Sequence, residues 1–243
     1  MALPKLVVPE YDIDLKSIDQ PIKYRPFLVK EEKILLMALE TQDQGAMADA
    51  MKRIIKNCVI DPTNLKVDQL PMFDVELLFL NIRARSVSDI IKLNMKHTEE
   101  ENLECKGEQE VEINIDKIEL DYPEEHTTKI MLTDDVGVEM RYPTFKSVGM
   151  MDKIVNNTDA TYKMITSSIK LIFDEDATYE RNTHTDKEFE DFVASLNTLQ
   201  FQKLVTFFQE MPSLKHEVEW TCPLCKKSET TTVAGLQNFF LSA

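Results

Sequence analysis

Cys222-Pro223-Leu224-Cys225 puts two thiols on one tight turn, preceded by Trp220-Thr221 and followed by Lys226-Lys227. Two thiolates at that spacing are half of a tetrahedral metal site, and neighbouring lysines favour the thiolate form. A second Cys-x-x-Cys at ribbon spacing would complete the set, and the sequence has none. What it has is Cys105-Lys106-Gly107-Glu108, with Glu108 standing where a second thiol would fall. His97 precedes that turn and His216 precedes the Cys222 turn. If the two turns meet, Cys222, Cys225 and Cys105 can hold a structural zinc ion, with His97, Glu108 or His216 as the fourth ligand. Two other readings stay open: a vestigial knuckle carrying plain thiols, and thioredoxin-like redox chemistry. The redox reading needs the thiol pair at a helix N-terminus within a βαβ unit, and this pair lies between two expected strands. On the sequence alone the balance falls on plain thiols and no bound cofactor.

The remaining candidates for chemistry are weaker. Cys58 follows an apolar helical pattern and reads as a core residue. His126 and His184 sit in polar segments where solvated imidazoles are the rule. The acidic runs Glu99-Glu100-Glu101 and Asp174-Glu175-Asp176 lack the alternate carboxylates and glycine of a calcium loop. No nucleophile-plus-base arrangement emerges, so no catalytic residue is assigned. Glycine is scarce: Gly45, Gly107, Gly137, Gly149 and Gly235 are all there are, about 2% against a usual 7%. Phosphate-cradling loops need clustered glycines, so P-loop and dinucleotide folds are excluded.

Around these residues the chain reads as α+β. Ile13 and Leu15, then Ile22 and Tyr24, suggest a hairpin. A helix from Val29 follows, with Ile34, Leu35, Ala38 and Leu39 inward and Glu31, Glu32 and Glu40 outside, then helices over 46–57 and 73–82 and a shorter one at Val87–Ile91. Strands at 93–97 and 110–115 form a second hairpin. Residues 121–129 have linker character. The same order then restarts: strands at 130–132 and 138–142, helices at Met150–Ile154, 159–172, 186–197 and 200–211, strands at 218–221 and 230–233, and a terminal helix at Gly235–Leu241. At an offset of roughly 117 residues, Tyr24-Arg25-Pro26-Phe27 meets Tyr142-Pro143-Thr144-Phe145 and Cys105 meets Cys222. The expectation is an internal duplication: an N-terminal repeat over 1–120, a linker over 121–129 and a C-terminal repeat over 130–243. Each repeat would hold a β-hairpin, a helical bundle and a second β-hairpin, zinc-knuckle-like in the second.

The net charge of −15 disfavours direct nucleic-acid contact, which depends on lysine and arginine neutralising phosphates. No apolar run is long enough to span a membrane. The N-terminus lacks a signal-peptide core, so an intracellular site and reduced cysteines are expected.

Two segments carry a resemblance. Tyr24-Arg25-Pro26-Phe27-Leu28-Val29-Lys30-Glu31-Glu32-Lys33-Ile34-Leu35-Leu36 is one, and Val218-Glu219-Trp220-Thr221-Cys222-Pro223-Leu224-Cys225 with Gly235-Leu236-Gln237-Asn238-Phe239-Phe240 is the other. With them the chain resembles the baseplate hub assembly proteins of T-even-type contractile-tailed bacteriophages and their marine relatives. That resemblance implies a non-enzymatic role in building the hub, with baseplate hub and tail proteins as partners. It also implies assembly in the host cytoplasm, and leaves open whether the protein stays in the virion or leaves as a chaperone. A homo-oligomer is a further expectation. The rival reading is a zinc- or thiol-dependent accessory protein built on Cys222 and Cys225, either a small metalloenzyme or a transcription accessory factor.

Overall fold

Tyr11–Ile13 (β1) and Ile22–Tyr24 (β2) pair antiparallel, with Tyr11 opposite Tyr24 and Ile13 opposite Ile22. The computed structural model describes residues 6–41, 43–97, 105–115, 118–123, 126–147 and 157–234. The helices expected at Met150–Ile154 and Gly235–Leu241, and the Glu99-Glu100-Glu101 run, lie outside the described residues. Two compact units account for the chain. The first takes the residues up to Val67, Phe73–Asp121 and the stretch from Ser213 onward; the second takes Asp68–Met72 and Tyr122–Pro212.

In the first unit, β2 also pairs with Val59–Asp61 (β3), closing a three-stranded sheet. Between them run Val29–Thr41 (α1) and Gln44–Cys58 (α2). The Asp43 carboxylate accepts from the Ala46 N–H and starts α2. Met72–Ala84 (α3) buries Phe73, Val75, Leu78, Phe79, Leu80 and Ile82, and with them Asp74, whose carboxylate accepts from the Lys16 and Ser17 N–H groups. Ile90–Lys96 (β4) and Glu108–Asn114 (β5) form a two-stranded ladder. Ser213–Thr221 (β11) pairs with Ser228–Ala234 (β12) on one side and Glu119–Asp121 (β6) on the other.

In the second unit, Lys129–Met131 (β7), Gly137–Met140 (β8), Ile169–Phe173 (β9) and Thr178–Glu180 (β10) form an antiparallel sheet in the order β10-β9-β8-β7. Asn157–Ser168 (α4), Asp186–Ser195 (α5) and Thr198–Gln209 (α6) complete it. Thr185 with Glu188, and Asn197 with Gln200, form capping boxes at the starts of α5 and α6. Its core gathers Val138, Met140, Ile165, Ile169, Phe189 and Phe207.

The α+β class is as expected, and several details differ. Ile90 and Ile91 belong to β4, not a helix, because Ile91, Leu93 and Met95 alternate inward with period two. The helix expected over 159–172 stops at Ser168, and β9 follows without a loop so that it can pair with β8. α2 likewise runs straight into β3. An apolar run of that length does not distinguish the two states by periodicity. The units also cut across the expected halves: they divide at Asp121/Tyr122, but 213–234 returns to the first unit because β11 pairs with β6.

One local arrangement occurs in both units. The N–H of Arg25, just after β2, donates to Cys58 O, and its guanidinium reaches Asn57 O. The N–H of Arg141, just after β8, donates to Ser168 O, and its guanidinium reaches Ser167 O. Both strands carry a register irregularity there. These parallels do not by themselves establish the duplication, which stands as an expectation.

Glu31, expected outside, is fully buried. It accepts from the Leu28 N–H at 2.9 Å and from the Arg25 guanidinium at 3.2 Å, so its charge is paired rather than stranded. Burial pushes its carboxyl up, but the Leu28 N–H and Arg25 more than offset this and hold it below its ordinary 4.5. A depressed carboxyl contributes stability that is present above 4.5 and lost as pH falls through the folded value. Glu31→Gln should cost about 2 kcal/mol at neutral pH and flatten the acid limb of the stability curve. Urea unfolding across pH 3–7, with midpoints equal to the parent's throughout, would show that the pair stabilises nothing.

Candidate functional site

Strand parity delivers the site. On β4 the inward positions are Ile91, Leu93 and Met95, and His97 continues that face just past the strand end. On β11 the buried positions Leu214, Val218 and Trp220 lead to Cys222, which is itself fully buried. Cys225 comes from the turn, where Cys222 N–H donates to Lys227 O and Lys226 N–H to Cys222 O. Lys226 holds a left-handed φ of 62°, the conformation that lets so short a turn close. Cys105 precedes β5, two positions before a buried glycine.

These four side chains converge. The ligating atoms of His97, Cys105, Cys222 and Cys225 all lie within 4.8 Å of one another. Cys105 Sγ is 3.6 Å from Cys222 Sγ, and Cys225 Sγ is 3.3 Å from His97 Nε2. The far nitrogen of the ring, Nδ1, meets Glu229 Oε1 at 2.6 Å. The His97 side chain is 2% exposed and Glu229 15%. Trp220 tilts against the imidazole with centroids 5.1 Å apart and anchors its own N–H on Thr231 Oγ1. Gln109 Oε1 accepts from the Thr221 N–H at 3.2 Å, tying β5 to β11 beside the cluster.

The electrostatics follow from contact and burial. Burial pushes the Cys222 thiol up, but the backbone N–H groups of Cys225 and Leu224 and the His97 ring bring it down to about 6. The bond to Cys222 raises His97 most, burial opposes it, and Glu229 and Cys225 add to the rise, giving about 9. The Gly107 N–H draws Cys105 down, while burial and the neighbouring sulfurs prevail and leave it raised. Such a group of donors can hold a soft cation, or two of its thiols can oxidise to a disulfide.

Of the three expected fourth donors, only His97 joins the thiols. Glu108 falls on the outward parity of β5, where it pairs with Lys96 Nζ at 2.8 Å. His216 lies on β11 opposite Val233, six residues and so about 20 Å of strand away from Cys222. Sequence reasoning missed Glu229, whose only signal is its position directly opposite Trp220 in the β11–β12 register. It also missed Gly107. Cys58 is a core thiol as expected, fully buried, with burial pushing it up to about 12. His126 is not solvated: its ring packs against Tyr142 and Phe207 at 5.6 and 4.9 Å, and burial lowers its pKa.

Gly107 is required by close approach. A Cβ there would stand 2.2 Å from Cys222 Sγ, and Cys222 cannot yield without leaving its backbone donors. Gly107→Ala should therefore cost about 1–3 kcal/mol through overpacking. Gly45→Ala, whose Cβ would meet nothing nearer than 3.4 Å, should stay within about 1 kcal/mol of the parent. Equal urea midpoints for the two variants would remove the claim that the 105–108 turn packs against Cys222.

No curated protein and no solved structure matches this chain. A family model described as T4 bacteriophage base plate protein matches residues 8–241. With the match running from before β1 to beyond β12, the chain belongs to the T4 bacteriophage base plate protein family.

Proposed function

We propose that the protein is a non-enzymatic component or assembly factor of the tail baseplate hub, acting by binding other hub subunits during assembly. The family match over residues 8–241 carries this reading, because it spans both compact units rather than one module. Family membership itself gives a structural baseplate role. Other hub and tail proteins as partners, and assembly in the host cytoplasm before incorporation into the virion, are the finer part of the proposal. Among the described residues no helix is long and apolar enough to cross a membrane.

The surface supports a binding role. On α1 the inward stripe is Glu31, Leu35 and Ala38, while Val29 and Leu36, two turns apart, stay 80% and 53% exposed, with Met37 beside them. Apolar side chains grouped on one exposed helix face favour a protein partner over water. The rival reading, a thiol- or zinc-dependent accessory enzyme or transcription factor, rests on Cys222 and Cys225. Those thiols lie within 4.8 Å of Cys105 Sγ and the His97 ring, an arrangement that favours a structural role. The protein-binding reading is therefore the one retained.

Coexpression of the full chain with each baseplate hub subunit, followed by gel filtration, tests this. A stable complex with at least one hub subunit is expected. The double variant Leu36→Asp, Met37→Asp should weaken it at least about tenfold, since burying a single large apolar side chain is worth about 1.5–3 kcal/mol. Failure to bind any hub subunit, combined with a requirement for the protein in a metabolic reaction, would overturn the reading.

A further inference from the structure

We propose that His97, Cys105, Cys222 and Cys225 form a closed structural zinc site that fastens the β4–β5 hairpin to the β11–β12 hairpin. The proposal stands independently of the baseplate reading.

Distances come first. A zinc ion with sulfur at about 2.3 Å and nitrogen at about 2.0–2.1 Å in tetrahedral array separates its sulfurs by about 3.8 Å and sulfur from nitrogen by about 3.5 Å. The structure has 3.6 Å between Cys105 and Cys222 and 3.3 Å between Cys225 and His97. A disulfide would need about 2.05 Å between sulfurs, well short of the spacing found.

Donor chemistry comes second. Three sulfurs and an imidazole nitrogen, with no carboxylate among the converging atoms, suit zinc and not calcium or magnesium. The surrounding bonds are those a metal site needs. Glu229 Oε1 sits where it accepts a hydrogen bond from Nδ1–H of His97, and in the neutral ring that bond turns the Nε2 lone pair toward the sulfurs. Backbone N–H groups of Leu224 and Cys225 hydrogen-bond to Cys222 Sγ, and that of Gly107 to Cys105 Sγ, the outer contacts that orient ligating sulfurs. Three thiolates confined this closely repel one another unless a cation lies among them. The thiols bind as thiolates, so loading the ion releases their protons to solvent.

All four positions are filled by protein side chains, which leaves none for water or substrate. A closed tetrahedral site of this kind is structural rather than catalytic. Its ligands span the chain: Cys105 and Cys222 are 117 residues apart in sequence. The ion would therefore do what a disulfide does in an oxidising compartment, closing a long loop and removing freedom from the unfolded chain.

The test uses the full-length protein purified without chelator. Elemental analysis should find about one zinc per chain and no comparable iron. Cys58→Ser should keep the full complement, while Cys105→Ser and Cys222→Ser should fall below about a tenth of an equivalent. Glu229→Gln should keep the ligands yet weaken zinc by roughly 10- to 100-fold in a competition with a chromogenic chelator. Because the cysteine variants could fail to fold, cobalt is also exchanged into the parent protein. A tetrahedral spectrum with strong thiolate-to-cobalt charge transfer is expected. Parent protein that holds less than about a tenth of an equivalent even after refolding with zinc overturns the proposal. So does iron in stoichiometric amount, or a Cys105–Cys222 disulfide seen by mass under non-reducing conditions.

Discussion

Three sulfurs and one imidazole nitrogen within 4.8 Å of one another are the constraint around which the first unit is built. Polar, ionisable groups packed so tightly away from water are tolerable only if each is bonded to a partner. Here each is: His97 by Glu229, Cys222 by the turn N–H groups, Cys105 by Gly107 and Cys225 by the His97 ring. That requirement explains local features that otherwise look unrelated. A glycine stands where any side chain would strike Cys222, a lysine adopts left-handed backbone, and a glutamine reaches from β5 to the backbone of β11. It also explains why 213–234 returns to the first unit after an intervening unit of its own.

The site and the family membership describe one kind of molecule. Membership of the baseplate family gives a structural role, and the clustered donors of the first unit suit a rigid one. The Arg25–Glu31 pair follows the same logic elsewhere in the first unit, joining the segment just after β2 to the end of α2 and the start of α1 through one guanidinium. Such pairs add little net stability compared with an apolar core but leave a large penalty when one partner is removed. They favour one arrangement over its neighbours. On α1, Val29, Leu36 and Met37 stay exposed on the outer face.

Much of this was legible in the residues, and what was missed has physical causes. The Cys222–Cys225 turn follows from its spacing, and Cys105 was singled out because it falls about 117 residues before Cys222. His97 was one of three candidates, and only strand parity and register exclude Glu108 and His216. Register is a tertiary property, set by which faces meet. The same is true of Glu229, which looks like a surface acid until β12 places it opposite Trp220. Glu31 was misplaced because a carboxylate on a helix normally faces water, and nothing local announces that Arg25 will enclose it. The run-on junctions at Ser168–Ile169 and Cys58–Val59 escaped because one apolar segment serves as helix end and strand start alike. The return of the β11–β12 hairpin to the first unit defeated a division by sequence order, since the pairing of β6 with β11 joins segments from both halves.

X-ray absorption at the zinc edge, on protein purified without chelator, addresses the central claim most directly. The account predicts a four-coordinate shell of three sulfurs at about 2.3 Å and one nitrogen at about 2.0–2.1 Å, with outer-shell scattering from an imidazole ring. A shell dominated by oxygen and nitrogen, or one with two sulfurs and coordinated water, would contradict it.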